Sequence, residues 1–326
     1  MRDTSNNFEE QIHSLNNNKF FVIEPKNHKI IIYTILYLLL VVLGAVFNSG
    51  YLIAFFHIVP LCIIIGKNFN YFLTVALAGI FLSYFLGTIY ITFWHTSHII
   101  LAAVIYFSIV KRYSKLVIIV LLSSTLFLLL ALFLTVLIKL NYINLNIINQ
   151  NIDNYLKESV ERALTFNPGV SRDLYLASIN TFKQILPAIL FQGILLYIFL
   201  LITYALKRLS LEGVITPIFP PFATIKVRGS IVTVYIFLLI ALLFIDVNSG
   251  YQKYNIILQN IFLIMQLVFA FNGMCTLFFF IDEKLNKNIF LKILNVILLI
   301  IFPSILEIVG IIDSIISLRE KYLKMK

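Results

Sequence analysis

The chain has little charge for its length of 326 residues. Asp, Glu, Lys and Arg make up 12% of it, whereas soluble domains carry about 25% of these residues. Hydrophobic residues make up 60%, and the mean hydropathy is +0.96. A soluble fold of this length cannot hide so much apolar surface, because the buried fraction saturates near about 75%. The composition therefore excludes soluble nucleic-acid-binding proteins and long disordered chains, and it indicates that lipid surrounds most of the chain.

Cysteine and the common catalytic motifs are also scarce. Cys62 and Cys275 both lie inside apolar segments, so we expect neither a disulfide framework nor a cysteine metal site. The sequence contains no phosphate-binding glycine loop and no nucleophile elbow. We therefore expect a protein that is not an enzyme, uses no cofactor or metal, and depends on another energy source if it transports anything.

Long apolar segments are abundant. A membrane-spanning helix needs about 20 apolar residues. Nine segments reach or approach this length: 30–48, 51–66, 69–91, 93–110, 116–138, 184–206, 230–246, 257–281 and 289–317. In lipid such segments satisfy their backbone polar groups only as helices. The predicted fold class is all-α, a polytopic transmembrane helical bundle of eight or nine spans, with the membrane domain at residues 30–317.

The basic residues predict how the chain is oriented. The formal net charge is +10. Lys111 and Arg112 follow the fourth segment, whereas the short connections 48–50 and 93–98 carry no Lys or Arg. By the positive-inside rule, the N-terminal segment 1–29 is predicted to be cytoplasmic. The same charges indicate contact with lipid phosphates and no nucleic-acid partner.

The last apolar segment leaves the number of spans open. Pro303 lies near the middle of 289–317, and proline kinks or breaks a helix. Each arm has about 14 residues, which is too short to cross the bilayer alone. A re-entrant hairpin gives eight spans and returns the basic tail, residues 318–326, to the cytoplasm. A kinked helix that crosses fully gives nine.

Two connections stand out by their length and composition. Residues 139–183 are predicted to form an outer amphipathic loop with a helix at 151–163, either as a solvated connector or as a lid over an outward-facing pocket. The cytoplasmic connection 207–229 contains adjacent prolines, which exclude a helix there. It is expected either to lie on lipid phosphates or to dock a cytoplasmic partner. Its candidate contact residues are Pro220, Pro221, Phe222, Lys226 and Arg228.

Ionisable residues inside apolar segments are the candidates for binding a ligand or an ion, because each is costly in lipid. Glu307 follows Pro303 by one turn and shares a helical face with it and with Gly310. Asp313 lies about 120° around the helix from Glu307. The alternative for these acids is a structural ion pair, with Arg319 reachable from Asp313 only if the helix unwinds.

Histidines are the remaining candidates. His57 lies midway along the second segment, where it is expected either to bond a neighbouring carbonyl or to relay protons. Trp94, His95 and His98 are predicted to lie in the connection 93–98. There Trp94 would join the aromatic belt and the two histidines would be solvated.

Three stretches resemble the YybS-like family of bacterial membrane proteins. They are Pro220–Pro221–Phe222 before a basic stretch, Asn260 through Gln266 to Gly273, and Gly310–Ile311–Ile312–Asp313 followed by Arg319. Their order and spacing agree along nearly the whole chain. The family tends to show Arg-x-Trp-Arg-x-Pro after the proline pair, where this chain has residues 223–228 as Ala-Thr-Ile-Lys-Val-Arg.

The resemblance implies a multi-pass protein of the bacterial cytoplasmic membrane. The family's first spans are similar to S components of energy-coupling-factor transporters, which bind a metabolite and depend on a separate ATPase module. The resemblance thus implies small-molecule binding or a transport-related role, with such a module as partner. The alternative is a non-transporting scaffold that recruits a cytoplasmic protein or an envelope or division protein.

Overall fold

The computed structural model describes residues 19–22, 24–166, 171–217, 222–244 and 252–325. Its helices are α1 (Asn27–Val46), α2 (Gly50–Lys67), α3 (Phe69–Leu86), α4 (Ile89–Val110), α5 (Lys115–Lys139), α6 (Leu145–Phe166), α7 (Arg172–Leu211), α8 (Gly229–Phe244), α9 (Gln252–Lys284), α10 (Ile289–Ile301), α11 (Pro303–Ile316) and α12 (Leu318–Met325). A single 3-10 turn, Phe222–Thr224, precedes α8. In these ranges the extended structure is confined to one isolated bridge, between Phe21 and Val214. The predicted all-α fold class is confirmed.

Six of the described helices are long and apolar enough to cross a membrane, namely α1, α3, α4, α5, α7 and α9. The bent pair α10–α11 raises this number to seven. The prediction of eight or nine is slightly higher because it counted the shorter helices α2 and α8 as spans. The 16 residues of α8 reach about 24 Å, less than the hydrocarbon thickness of about 30 Å.

The chain divides into two units. One contains Met1–Leu145 and Gly193–Ile218, and the other contains Asn146–Gln192 and Phe219–Lys326. In the first unit, α2 packs against both α1 and α4, and all of its residues from 57 to 65 are buried. A helix that is apolar on every side is stable either in the interior of a bundle or against lipid, and the burial of residues 57–65 places α2 in the interior. Helix α2 is therefore the core of the first unit.

Helix α4 begins four residues earlier than predicted. The hydroxyl of Thr88 accepts a hydrogen bond from the Ile91 N–H at 3.4 Å and caps the helix. The prediction that His95 and His98 are solvated is wrong, because both belong to α4 and are fully buried. This local cap sets the N-terminal boundary of α4.

The predicted outer segment 139–183 is more helical than expected. The helix expected at 151–163 lies within the longer α6, and the stretch after it opens the 40-residue α7. Residues 167–170 lie outside the described residues.

In the second unit, α9 packs against α8, α10 and α11. Helices α9 and α11 approach closely at Gly273 and Gly310. A Cβ atom at Gly273 would collide with the carbonyl oxygen of Leu306, and one at Gly310 would collide with that of Phe269. Small residues permit such backbone contacts between membrane helices.

The last apolar segment breaks at Pro303, as its sequence predicts. Pro303 is the first residue of α11, where its missing N–H costs no helical hydrogen bond. Helices α10 and α11, of 13 and 14 residues, are bent by 107° relative to each other. This is the geometry of a broken span or a re-entrant loop. The re-entrant hairpin and the kinked helix that crosses fully therefore both stay predictions.

Candidate functional site

Asp313 and Arg319 form a buried ion pair in the second unit. Arg319 Nη2 lies 2.7 Å from Asp313 Oδ2, and the two side chains are 6% and 0% exposed. Helix α11 ends at Ile316, and Ser317 adopts a left-handed conformation with a φ of 56°. This reversal brings Arg319 back to Asp313, which is the unwinding that their pairing requires.

The guanidinium group of Arg319 uses its full hydrogen-bonding capacity. Two of its N–H groups donate to Asp313, one to Asn272 Oδ1, and one each to the carbonyls of Ala223 and Ile225. A guanidinium offers five side-chain N–H donors, so none is left over. Arg319 therefore links Ala223 and Ile225 of the connection 207–229 to the C-terminal part of α11.

The structure describes three of the five candidate contact residues of the connection 207–229, and each has a different environment. Phe222 stacks on Phe278, with ring centroids 5.8 Å apart. Lys226 Nζ donates to Ser317 Oγ at 2.8 Å and to Glu320 at 2.7 Å. This hydrogen bond from Lys226 lowers the pKa of the Glu320 carboxyl. Arg228 is exposed, whereas Pro220 and Pro221 lie outside the described residues.

Glu307 lies on α11 between two polar side chains from other helices. Its Oε1 accepts a short hydrogen bond from the hydroxyl of Tyr235 on α8, and its Oε2 accepts one from Gln266 Nε2 on α9 at 2.7 Å. The sequence identified Glu307 but not these partners. Gln266, a polar residue within an apolar segment, was the available signal, and Tyr235 gave none.

Two buried histidines face each other in the first unit. The Nδ1 atoms of His57 on α2 and His95 on α4 are 3.0 Å apart, and the rings stack with centroids separated by 4.5 Å. One Nδ1 must therefore carry the proton and donate it to the other. The carbonyl of Leu40 also faces His57. The expected partner of His57 was a neighbouring carbonyl, and its main partner is a second histidine.

His98 is held by a different pair of contacts. Its Nδ1 lies 2.8 Å from the carbonyl oxygen of Trp94 and its Nε2 lies 2.7 Å from the hydroxyl of Tyr197. A carbonyl only accepts, so Nδ1 carries the proton and Nε2 accepts from Tyr197. Both nitrogens of this ring are therefore satisfied.

Three polar atoms of the histidine pair and of Tyr37 have no hydrogen-bond partner among the described residues. They are Tyr37 Oη, His57 Nε2 and His95 Nε2, and all three residues are fully buried. Tyr37 packs edge-on against His57, with ring centroids 5.2 Å apart. We call Tyr37, His57 and His95 the polar centre. Among the described residues, no group of three or more His, Cys, Asp or Glu could hold a metal ion.

A surface cavity of about 420 Å³ also lies in the first unit. Its lining includes Glu24, which pairs with Lys67 at 2.7 Å, and Lys29, which pairs with Glu212 at 3.1 Å. The Lys67 ammonium lowers the pKa of the Glu24 carboxyl. Lys26 also lines the cavity, so the lining carries charges of both signs. It is lined by Glu24, Pro25, Lys26, His28, Lys29, Leu211, Glu212 and Gly213.

Comparison with known protein families gives a match over most of the chain. The model of a family described as "Predicted membrane protein (DUF2232)" matches residues 30–314. Neither a curated protein nor a solved structure matches the chain. The resemblance to YybS-like proteins and the analogy with S components stay predictions. Because the match covers most of the chain, the protein belongs to this family of predicted integral membrane proteins.

Proposed function

We propose that this membrane protein binds a small polar molecule at the polar centre of its first unit, in a transport-related role like that of an S component. The observation that carries the proposal is the group of three unpartnered polar atoms on Tyr37, His57 and His95. Buried polar atoms without partners are rare in proteins, and each costs about 1–3 kcal/mol. A bound polar molecule that supplies the missing hydrogen bonds would recover that free energy.

The tautomers of the histidine pair define the chemistry of the ligand. When one Nδ1 donates to the other, the donating ring keeps a lone pair on Nε2, while the other ring carries Nε2–H. The polar centre thus offers one nitrogen donor, one nitrogen acceptor and the hydroxyl of Tyr37, which can do both. A neutral molecule that carries donors and acceptors, such as an amide or an N–H heterocycle, matches this set.

Energy for transport must come from outside the chain under this proposal. The sequence contains no phosphate-binding loop that would hold ATP. A separate ATPase module or an ion gradient would supply it. Localisation in a bacterial cytoplasmic membrane with a cytoplasmic N-terminus belongs to the same proposal.

The test is a ligand screen on the full-length protein in lipid nanodiscs. Neutral amides and N–H heterocycles are added, and the melting temperature is measured. A ligand at 100 times its Kd stabilises the folded state by about 2.7 kcal/mol, so binding raises the melting temperature. We expect at least one compound of this class to do so.

Two matched tyrosine variants locate the binding site. Tyr37→Phe removes an unpartnered buried hydroxyl and should weaken binding. Tyr71→Phe removes the exposed hydroxyl that bonds Thr34 in the same unit, and should leave binding unchanged. The proposal is wrong if no compound stabilises the protein, or if both variants bind equally well.

A second candidate function is a scaffold that recruits another protein. It is supported by the exposed basic side chains of Arg228, Lys321 and Lys324, which lie on the connection 207–229 and on α12. Replacing these three residues by glutamine should reduce the amount of a specific partner that co-purifies with the protein. An unchanged set of co-purified proteins would count against this function.

A further inference from the structure

The carboxylate of Glu307 has only neutral hydrogen-bond partners among the described residues. Tyr235 donates to one of its oxygens and Gln266 to the other. Both partners stabilise an ionised carboxylate as donors, but neither neutralises its charge. Glu307 lies on a helix of a membrane-embedded unit, where an uncompensated charge is expensive.

The other ionisable groups on the helices around Glu307 are engaged elsewhere. On α11, Asp313 pairs with Arg319, whose five side-chain N–H groups are all used. Lys292 on α10 pairs with Asp282 at the end of α9. Helix α8 contributes only the Tyr235 hydroxyl, since residues 229–244 contain no Asp, Glu, Lys, Arg or His. On α9, the Lys284 ammonium lies over the rings of Phe280 and Tyr322, at 5.6 and 4.9 Å from their centroids. None of these cations pairs with Glu307 in the part of the second unit that the structure describes.

We propose that Glu307 and Tyr235, beside Gln266, form a binding site for a monovalent metal cation, a sodium ion. A single positive charge neutralises the single carboxylate. The carboxylate and phenol oxygens are hard ligands, which suit hard cations, whereas Gln266 presents its Nε2 to the carboxylate and holds it in place. A calcium or magnesium ion is a poorer fit, because such ions usually bind several carboxylates or keep several waters.

The surrounding structure holds the three side chains in place. Tyr235 is buried and stacks on Phe262, with ring centroids 5.1 Å apart and planes inclined by 11°. The backbone contact of Gly310 with Phe269 fixes α11 against α9, three residues after Glu307. Interrupted helices commonly carry the ion sites of membrane transporters, and Glu307 follows such an interruption at Pro303.

This site goes beyond the proposed function. It lies in the second unit and shares no residue with the polar centre. Each proposal therefore fails independently of the other.

Infrared difference spectroscopy on the full-length protein in nanodiscs tests the site. Sodium chloride is added at constant pH and ionic strength, with potassium as the balancing ion. A sodium site gives a change in the carboxylate bands on adding sodium. This signal should be lost in Glu307→Gln and retained in Glu320→Gln, which changes an exposed acid of the same unit.

A second variant covers the case in which Glu307→Gln does not fold. Tyr235→Phe keeps the acid but removes the phenol oxygen, so it should shift the midpoint of the sodium titration. If adding sodium gives no signal that depends on Glu307 or Tyr235, the proposal is overturned.

Discussion

Replacing Arg319 by leucine should destabilise the second unit strongly. The substitution leaves the Asp313 carboxylate, which is 0% exposed, without its cation, and it removes the donors to the Ala223 and Ile225 carbonyls. Breaking a buried ion pair by removing one partner costs about 3–5 kcal/mol. We expect a loss of at least that size, because the two carbonyls and Asn272 also lose a donor.

An exposed ion pair in the same unit provides the matched control. Arg172 and Glu161 lie at the same separation of 2.7 Å, but their side chains are 62% and 59% exposed. Water already solvates both charges, so Arg172→Leu should cost only about 0–1 kcal/mol. The two ion pairs thus differ in burial and not in the distance between their charged atoms.

The assay follows the reactivity of Cys275, which is fully buried in α9. In a Cys62→Ala background, a thiol-reactive dye labels the protein only when the second unit opens. The denaturant concentration at half-labelling then reports the stability of that unit. If Arg319→Leu and Arg172→Leu shift this concentration equally, burial does not determine the strength of the pair and the reasoning is refuted.

Three further predictions concern the helix contact, an ion pair and the orientation. Gly310→Ala should lower the stability reported by Cys275 labelling by about 1–3 kcal/mol or more. Gly193→Ala should not lower it, because the Cβ position of Gly193 has open space around it. The lowered pKa of Glu24 stabilises the fold above the unfolded pKa of this carboxyl, and the contribution is lost as the pH falls through the lower folded pKa. Glu24→Gln should therefore reduce the loss of folding stability at acid pH by less than about 1 kcal/mol, because the ion pair of Glu24 is exposed. An unchanged dependence of folding stability on pH would contradict this. Lys111→Cys should resist a membrane-impermeant thiol reagent in intact cells, and labelling from outside would contradict the predicted orientation.

Sequence reasoning succeeded where the deciding physics is local. Lipid offers no hydrogen bonds to the backbone, so long apolar segments had to be helices. Proline lacks an N–H, so the break at Pro303 could be placed to the residue. The potential partner Arg319 was also identified for Asp313, because six residues separate them along the chain.

The same reasoning failed where two distant segments meet. His57 and His95 are 38 residues apart, and Glu307 is 72 residues from Tyr235. The helices of His57, His95 and Tyr235 are apolar on nearly every side, so the sequence pattern does not show which face turns inward. The boundary of α4 was missed for a smaller reason, since the Thr88 cap lies within an apolar region.

The amino-acid sequence alone determined that this is a helical membrane protein, where its last segment breaks, and that His57, Glu307 and Asp313 lie within apolar segments. The tertiary structure alone decided that Arg319 neutralises Asp313, that Glu307 meets only neutral donors, and that two histidines pair in the first unit. The physical reason is that hydrophobicity and backbone hydrogen bonding act on each segment separately. Which side chains meet depends instead on backbone contacts, such as that of Gly310 with Phe269, that form only when helices pack together.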